Sequence, residues 1–296
     1  MENILEIKRR IKAVKEIRQI TGVMKMVATT KLRKAQERVE SSRPFARKIS
    51  EVLIDISQMA GPHLHPLMES RAVRRTCLVL FTSDQGLSGA YNANLIRHAR
   101  SFLNQLPPGR EVSILVVGRK GRDFFRRRNY RISGKFLGRS QYPTFALGAK
   151  IAGVITEQYR TRECDEVYLI YMRFYSPHHL EPRTFRLLPV LPATEDRGRP
   201  VGRGSWRFEL SPEAILEHLI HRYIETEVYR ALLEADASEK GARLAAMKTA
   251  SENADELLAK LLHRLNHYRQ GIITSQLTEL MGGVESLAKE RPEQAK

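Results

Sequence analysis

Residues 6–36 read EIKRRIKAVKEIRQITGVMKMVATTKLRKAQ, a stretch with no proline and a single glycine, Gly22. Apolar side chains recur from just before it at Ile4, Ile7, Ile11, Val14, Ile17, Ile20, Met24 and Val27, and these steps of three and four residues place them on one helical stripe. The stripe continues through Leu32, Ala35 and Val39 and resumes after Pro44 at Ile49, Val52, Leu53, Ile56 and Met59. That pattern predicts one helix, or two helices meeting near residues 41–44. Lys8, Arg9, Lys12 and Lys15, then Lys25, Lys31, Arg33 and Lys34, interleave with the stripe, so one face packs while another presents positive charge.

The other end mirrors this. Between Pro212 and Pro292 run 79 residues without proline. Leu258, Leu261, Leu265, Tyr268 and Ile272 form one series, and Ile273, Leu277, Leu280, Val284 and Leu287 begin a second one residue out of phase, which implies a local break in heptad register. Ser211 is a plausible N-cap, with Pro212 at the first helical position. At ~1.5 Å per residue such a helix is roughly 120 Å long and needs a partner for its apolar stripe. The N-terminal helix is the expected partner, in a long antiparallel coiled coil of N- and C-terminal helices with a domain inserted between them.

The middle of the chain has a different rhythm. Strand-length apolar runs occur at residues 76–82 (TCLVLFT), 112–117 (VSILVV) and 167–172 (VYLIYM), with a weaker candidate at 184–190. Helix-like stretches at 91–106, 119–128 and 145–162 separate them, and Arg126, Arg127, Arg128 and Arg131 are expected to close a helix and enter a strand. The alternation predicts a small Rossmann-like α/β domain with buried central strands. Residues 193–207, ATEDRGRPVGRGSWR, read as a polar surface loop. The predicted boundaries are therefore 1–60 for the N-terminal helix, 61–210 for the α/β domain and 211–296 for the C-terminal helix.

The chain's 296 residues are 42% hydrophobic and only 7% aromatic, which excludes a disordered protein and disfavours a large β-sandwich. Fifty Lys and Arg against 33 Asp and Glu give a net charge of +17, so an acidic partner is expected. The charge is uneven: +7 over residues 1–60, +13 over 61–210 and −3 over 211–296. Cys77 and Cys164 are too few for a disulfide framework, which favours a reducing compartment. Neither a signal-peptide core nor a transmembrane segment is expected.

Chemical motifs are sparse. SDQGLSGAYNANL, residues 83–95, sets Gly86 and Gly89 before a helix, where backbone N–H groups suit an anion, but the dinucleotide-loop glycine spacing is missing. GRKGRD, residues 118–123, looks superficially like a Walker loop yet lacks the required GK[ST], so nucleotide binding there is rejected. His263 and His267 stand at i, i+4 spacing but lack a ligand set, and no catalytic constellation, cofactor site or metal site is predicted. The arginines at 126–131 and Arg197, Arg199, Arg203 and Arg207 suit either phosphates or a solvated face.

Together, residues 6–36, ARLAAMKTASENADELL (242–258) and RQGIITSQLTELMGGVESL (269–287) resemble the gamma subunits of F-type ATP synthases. The segments SDQGLSGAYNANL, GRKGRDFFRRR (118–128) and LLP (187–189) are similar to that family too, so the resemblance spans about residues 4–288. It implies a non-catalytic rotor. In the family the terminal helices form a shaft within a ring of α and β subunits, and the α/β domain is a foot against the epsilon subunit and the membrane c-subunit ring. Rotation of an asymmetric shaft drives each β subunit through different nucleotide affinities.

By position, the resemblance implies rotor–stator contact for Met24 and Lys25, for the basic residues Lys8, Arg9 and Arg10, and for Arg269, Gln270 and Thr274 in the C-terminal segment. Two departures bear on coupling: Gln276 stands where the family pattern has glutamate, and Gly22 where it has lysine. Gly22 also costs ~1 kcal/mol of helix stability relative to alanine. These departures suggest a divergent copy. The resemblance implies no cofactor, no nucleic-acid partner, and a peripheral location on the cytoplasmic face of a bacterial inner membrane. Cys77 and Cys164 are expected in strands, without thiol regulation. The rivals are a basic coiled-coil nucleic-acid-binding protein and a small α/β enzyme supported only by the glycine loop.

Overall fold

A computed structural model describes residues 4–60, 65–138, 142–190 and 212–290. The polar loop 193–207 with its four arginines, and the N-cap candidate Ser211, lie outside the described residues, as do the side chains of Met59 and Leu287. Two long helices bracket the sheet elements: α1 (Ile4–Ala60) and α5 (Pro212–Glu290). The region between holds β1 (Arg75–Phe81), α2 (Tyr91–Gln105), β2 (Glu111–Val117), α3 (Arg119–Arg126), β3 (Arg131–Phe136), α4 (Phe145–Arg160), β4 (Glu166–Ser176) and β5 (His179–Leu188). The α/β class with flanking terminal helices is as the sequence predicts. Of the two readings around residues 41–44, the single helix holds, with Pro44 inside it. Cys77 lies in β1, but Cys164 sits in the connection before β4 rather than in a strand.

By its internal contacts the chain divides into two units, Val27–Ala246 and a terminal unit of Met1–Met26 with Met247–Lys296. The first contains a five-stranded sheet in the order β3-β2-β1-β4-β5, parallel except for the antiparallel edge strand β5. The order of its parallel part is that of doubly wound nucleotide-binding sheets. The central strands are apolar throughout because both faces are covered. Alternate residues show it: Cys77, Val79 and Phe81 of β1 join one core and Leu78 and Leu80 the other, and β2 divides likewise into Leu115 and Val117 against Ile114 and Val116.

The first core is closed by α4 (Ile151, Ile155, Tyr159), the end of α1 (Leu53, Ile56) and the start of α5 (Leu216, Ile220, Ile224). The second is closed by Tyr91, Leu95 and Ala99 of α2 and Phe125 of α3. Gly148 lets α4 approach α5: a Cβ there would stand 3.0 Å from the Tyr229 Cβ. Within this unit α1 and α5 run antiparallel, since Leu32, Ala35 and Val39 cluster with Leu233 and Ala237 while Leu53 and Ile56 cluster with Leu216 and Ile220.

A buried carboxylate ties these helices to the sheet. Glu234 of α5 accepts the Phe174 backbone N–H of β4 at 2.8 Å and faces the Arg43 guanidinium of α1 at 3.5 Å. Two turns earlier, burial raises the carboxyl of Glu227 above its ordinary value, against the opposing pull of Arg230 and Arg183.

The terminal unit is thinner. Ile7, Ile11 and Val14 of α1 pack with Ala254 and Leu261 of α5, flanked by Leu258, Leu265 and Tyr268, and Arg18 is ion-paired with Asp255.

Candidate functional site

The arginine-rich helix fails as a backbone phosphate site for a specific reason. At the start of α3 the N–H of Arg119 donates to Asp84 Oδ1 at 3.0 Å, that of Lys120 to the Ser83 carbonyl at 3.1 Å and that of Gly121 to Thr82 Oγ1 at 2.9 Å. The donors that would hold a phosphate are already occupied. In the loop before α2, Asn92 Oδ1 accepts the Ser83 N–H at 3.0 Å, and the Gly86 carbonyl accepts from Arg243 of α5 at 3.3 Å. This loop fastens α2 to α5, so the feature behind the enzyme reading has a structural job. Among the described residues no group of three or more His, Cys, Asp or Glu could hold a metal ion, and no helix is long and apolar enough to cross a membrane.

The surface features concentrate on the terminal unit. In α1 the buried stripe departs from the sequence reading after Val14. Thr21 and Ala28 are buried, whereas Ile17, Ile20, Val23 and Val27 are 47–59% exposed. Small side chains thus take inward positions while large apolar ones face outward. Ile20, Val23 and Val27 fall within about 60° of one another on the helix circumference, a second stripe beside the packed one. Met26 is exposed as well.

The same happens more completely on α5. Tyr268 is its last residue packed against the apolar cluster, and from Arg269 to Ser286 every residue is exposed. Ile272, Ile273, Leu277, Leu280, Met281 and Val284 are 44–73% exposed. The sequence reading hands the seam from one leucine series to the other. In the structure Ile273, Leu277, Leu280 and Val284 of that second series are all exposed.

The residues implied by the resemblance fall in two patches. Lys8, Arg9 and Arg10 are exposed on the turn carrying the buried Ile7, with Arg10 bonded to Glu6 at 2.7 Å. Arg269, Gln270, Thr274 and Gln276 are exposed just beyond Tyr268, which belongs to the same apolar cluster as Ile7. Thr274 Oγ1 turns inward to the Gln270 carbonyl at 2.9 Å, leaving Gln270 and Gln276 to present their amides. Met24, half-buried, and Lys25, exposed, lie some 15 residues further along α1, ~22 Å at helical rise. The resemblance implies the polar residues and Met24 but none of the exposed aliphatic side chains around them. The available signal was an excess of apolar residues per turn, more than one seam can bury.

A surface of this kind, apolar centres within charged and amide groups, suits contact with other chains. Both cysteines are buried, and hydrogen bonding to Cys77, then burial, raises the Cys164 thiol above its ordinary value.

Comparison with known proteins gives one consistent answer. Residues 3–287 match a family model described as ATP synthase. Relatives named ATP synthase gamma chain include that of Heliobacterium modesticaldum, 41% identical over 293 residues covering 97% of this chain and all of the relative. Those of Desulforamulus reducens and Moorella thermoacetica are each 42% identical over 287 residues, with the same coverage. Among solved structures, the central stalk and c-ring of the Tetrahymena thermophila mitochondrial ATP synthase contains a chain similar at TM-score 0.60 and 26% identity, over 78% of this chain and 99% of that one. A chain of the Euglena gracilis mitochondrial ATP synthase shares the fold at TM-score 0.69 and 19% identity, over 99% and 97% of the two chains.

Proposed function

The chain belongs to the ATP synthase gamma-chain family, and from that premise we propose that it is the central-stalk rotor of a rotary ATP synthase, non-catalytic itself. On this reading residues 1–60 and 211–296 supply the shaft and residues 61–210 the foot. The shaft turns inside a ring of α and β subunits, and the foot meets an epsilon subunit and a ring of c subunits. The assembly is peripheral to the cytoplasmic face of a bacterial inner membrane.

The observation that carries this reading is the unpartnered end of α5. A helix that leaves six large apolar side chains exposed between Ile272 and Val284 is unfinished without another chain. A collar of surrounding subunits would cover it on all sides, which suits a helix exposed all round from Arg269 to Ser286. The asymmetry needed for coupling is also present. A rotor shifts a β subunit's conformation only by interacting differently with its alternative states. Apolar side chains, the cations Lys8, Arg9, Lys25 and Arg269, and the amides Gln270 and Gln276 are spread unevenly over the helix surfaces, so a ring subunit would meet a different face as the shaft turns. Met24 and Lys25 form the second contact level on α1.

Co-expression with the α and β subunits from the same source tests this. One copy of the chain per three α–β pairs, with ATP hydrolysis that disappears when residues 269–296 and the N-terminal helix are both removed, is the expected result. Failure of the chain to copurify with those subunits contradicts it.

A further inference from the structure

A groove between α2 and α3, on the side of the sheet away from α4, has no role in the shaft. It encloses about 790 Å³ and is lined by Arg97, Arg100, Lys120, Arg127 and Arg128, with Asp123 the one acidic residue in its wall. A volume of this size lies within the ~300–1,000 Å³ of small-molecule sites. The charge of Asp123 is already engaged: Arg122 donates to its Oδ1 at 2.6 and 2.8 Å, and that bond first, with Arg126 and Arg127 nearby, holds its carboxyl below the usual range. None of the five lining cations has an ion pair with a described carboxylate. Arg97 and Arg100 belong to α2, Lys120 to α3, and Arg127 and Arg128 to the turn that ends α3; Leu95 and Ala99 anchor α2 and Phe125 anchors α3 in one core. One of them is also pre-oriented, since the Arg128 guanidinium stacks at 3.7 Å on the Phe124 ring, itself part of the groove floor.

Five cations and one carboxylate lining a single groove leave an excess of positive charge, and an anion placed among them offsets the repulsion, which salt screens over ~8 Å at physiological ionic strength. Four of the five are arginines, whose planar forks suit phosphate oxygens bidentately, and Ser101 and Asn104 add neutral hydrogen-bonding groups along the same wall. We propose that this groove binds a soluble oligophosphate, a small molecule carrying two or more linked phosphates. The site is built from side chains and uses neither the glycine loop nor the N-terminus of α3, whose donors are consumed internally.

Calorimetric titration of sodium tripolyphosphate into the full chain at about 0.15 M salt tests the proposal without partner subunits, so it is independent of the stalk role. Binding at one site is expected. Arg100→Gln/Arg127→Gln, and separately Arg97→Gln/Lys120→Gln, should each weaken it at least ~10-fold, as loss of charge-assisted bonds implies. The control pair Lys12→Gln/Lys34→Gln, exposed on α1 and equal in charge removed, should change it no more than ~2-fold. Circular dichroism should be the same for all four proteins. Equal weakening by the control pair would reduce the effect to net charge and overturn the proposal. So would the absence of saturable binding up to millimolar tripolyphosphate. Groove-dependent retention on anionic phospholipid vesicles or on single-stranded DNA, with no tripolyphosphate binding, would also overturn it and assign the cations to that surface instead.

Discussion

The unit formed by Val27–Ala246 and the unit formed by the two chain ends use apolar residues in opposite ways. In the first, the large side chains of β1, β2 and β4 are turned into two cores, and nearly every strand residue from Leu78 to Phe81 and Ile114 to Val117 is fully buried. In the second, one narrow seam is buried and more isoleucines, leucines and valines face outward than inward among the described residues. Both units are helix-rich and drawn from one composition, so hydrophobic content does not separate a self-sufficient unit from one completed by others. What separates them is whether the chain supplies a surface to cover each stripe.

This contrast can be broken by substitution, starting where the effect on the chain's own stability is largest. Leu115→Ala in β2 removes a side chain buried between sheet and helices and should cost ~2–5 kcal/mol, read as a fall in denaturation midpoint. Glu234→Ala leaves the Phe174 N–H and the Arg43 guanidinium without their acceptor and should cost ~1–3 kcal/mol by the same measurement. Gly22→Ala should instead stabilise by ~1 kcal/mol, because a Cβ there meets nothing within 4 Å and alanine is the better helix former. Leu277→Ala should change the midpoint of the isolated chain by less than ~0.5 kcal/mol, since it is 58% exposed, while weakening assembly with α and β subunits. A Leu277→Ala cost as large as that of Leu115→Ala would erase the distinction between the units.

A pH series sharpens the description of the sheet unit. Glu227 has a raised folded carboxyl, chiefly through burial, so below its ordinary value of 4.5 it is neutral in both folded and unfolded chain and costs nothing. As pH rises above 4.5 the unfolded chain ionises first, and stability falls until the folded carboxyl has ionised as well. Glu227→Gln should therefore gain on the natural protein as pH is raised from about 4 to 7.5. A constant difference across that range would mean that the Arg230 contact, 3.0 Å away, offsets the burial cost fully.

Much of this was legible in the sequence. The strands at 76–82, 112–117 and 167–172 were visible because buried strands are continuous β-branched runs, and α2, α3 and α4 were visible between them. The edge strand β3, RISGKF, is half-exposed and carries Gly134, so its pattern is weak, and the arginine run before it was the better signal. The residues proposed for rotor–stator contact come from family resemblance alone, since an exposed Arg269 or Gln270 looks like any solvated helix position. The displaced seam was not legible because 3.6-residue periodicity fits two adjacent stripes equally well. Only the pairing with a second helix decides that Thr21 and Ala28 turn inward while Ile20 and Val27 do not.

The central claim is that the outward apolar stripe of α5 is an interface and not a defect of folding. Its most direct test is the triple variant Ile273→Glu/Leu277→Glu/Leu280→Glu, assembled with α and β subunits and assayed for ATP hydrolysis beside the unaltered chain. The account predicts that the variant chain alone denatures at the same midpoint, while its complex with α and β loses most of the turnover or fails to form. A variant complex of the same stoichiometry and the same turnover would contradict it.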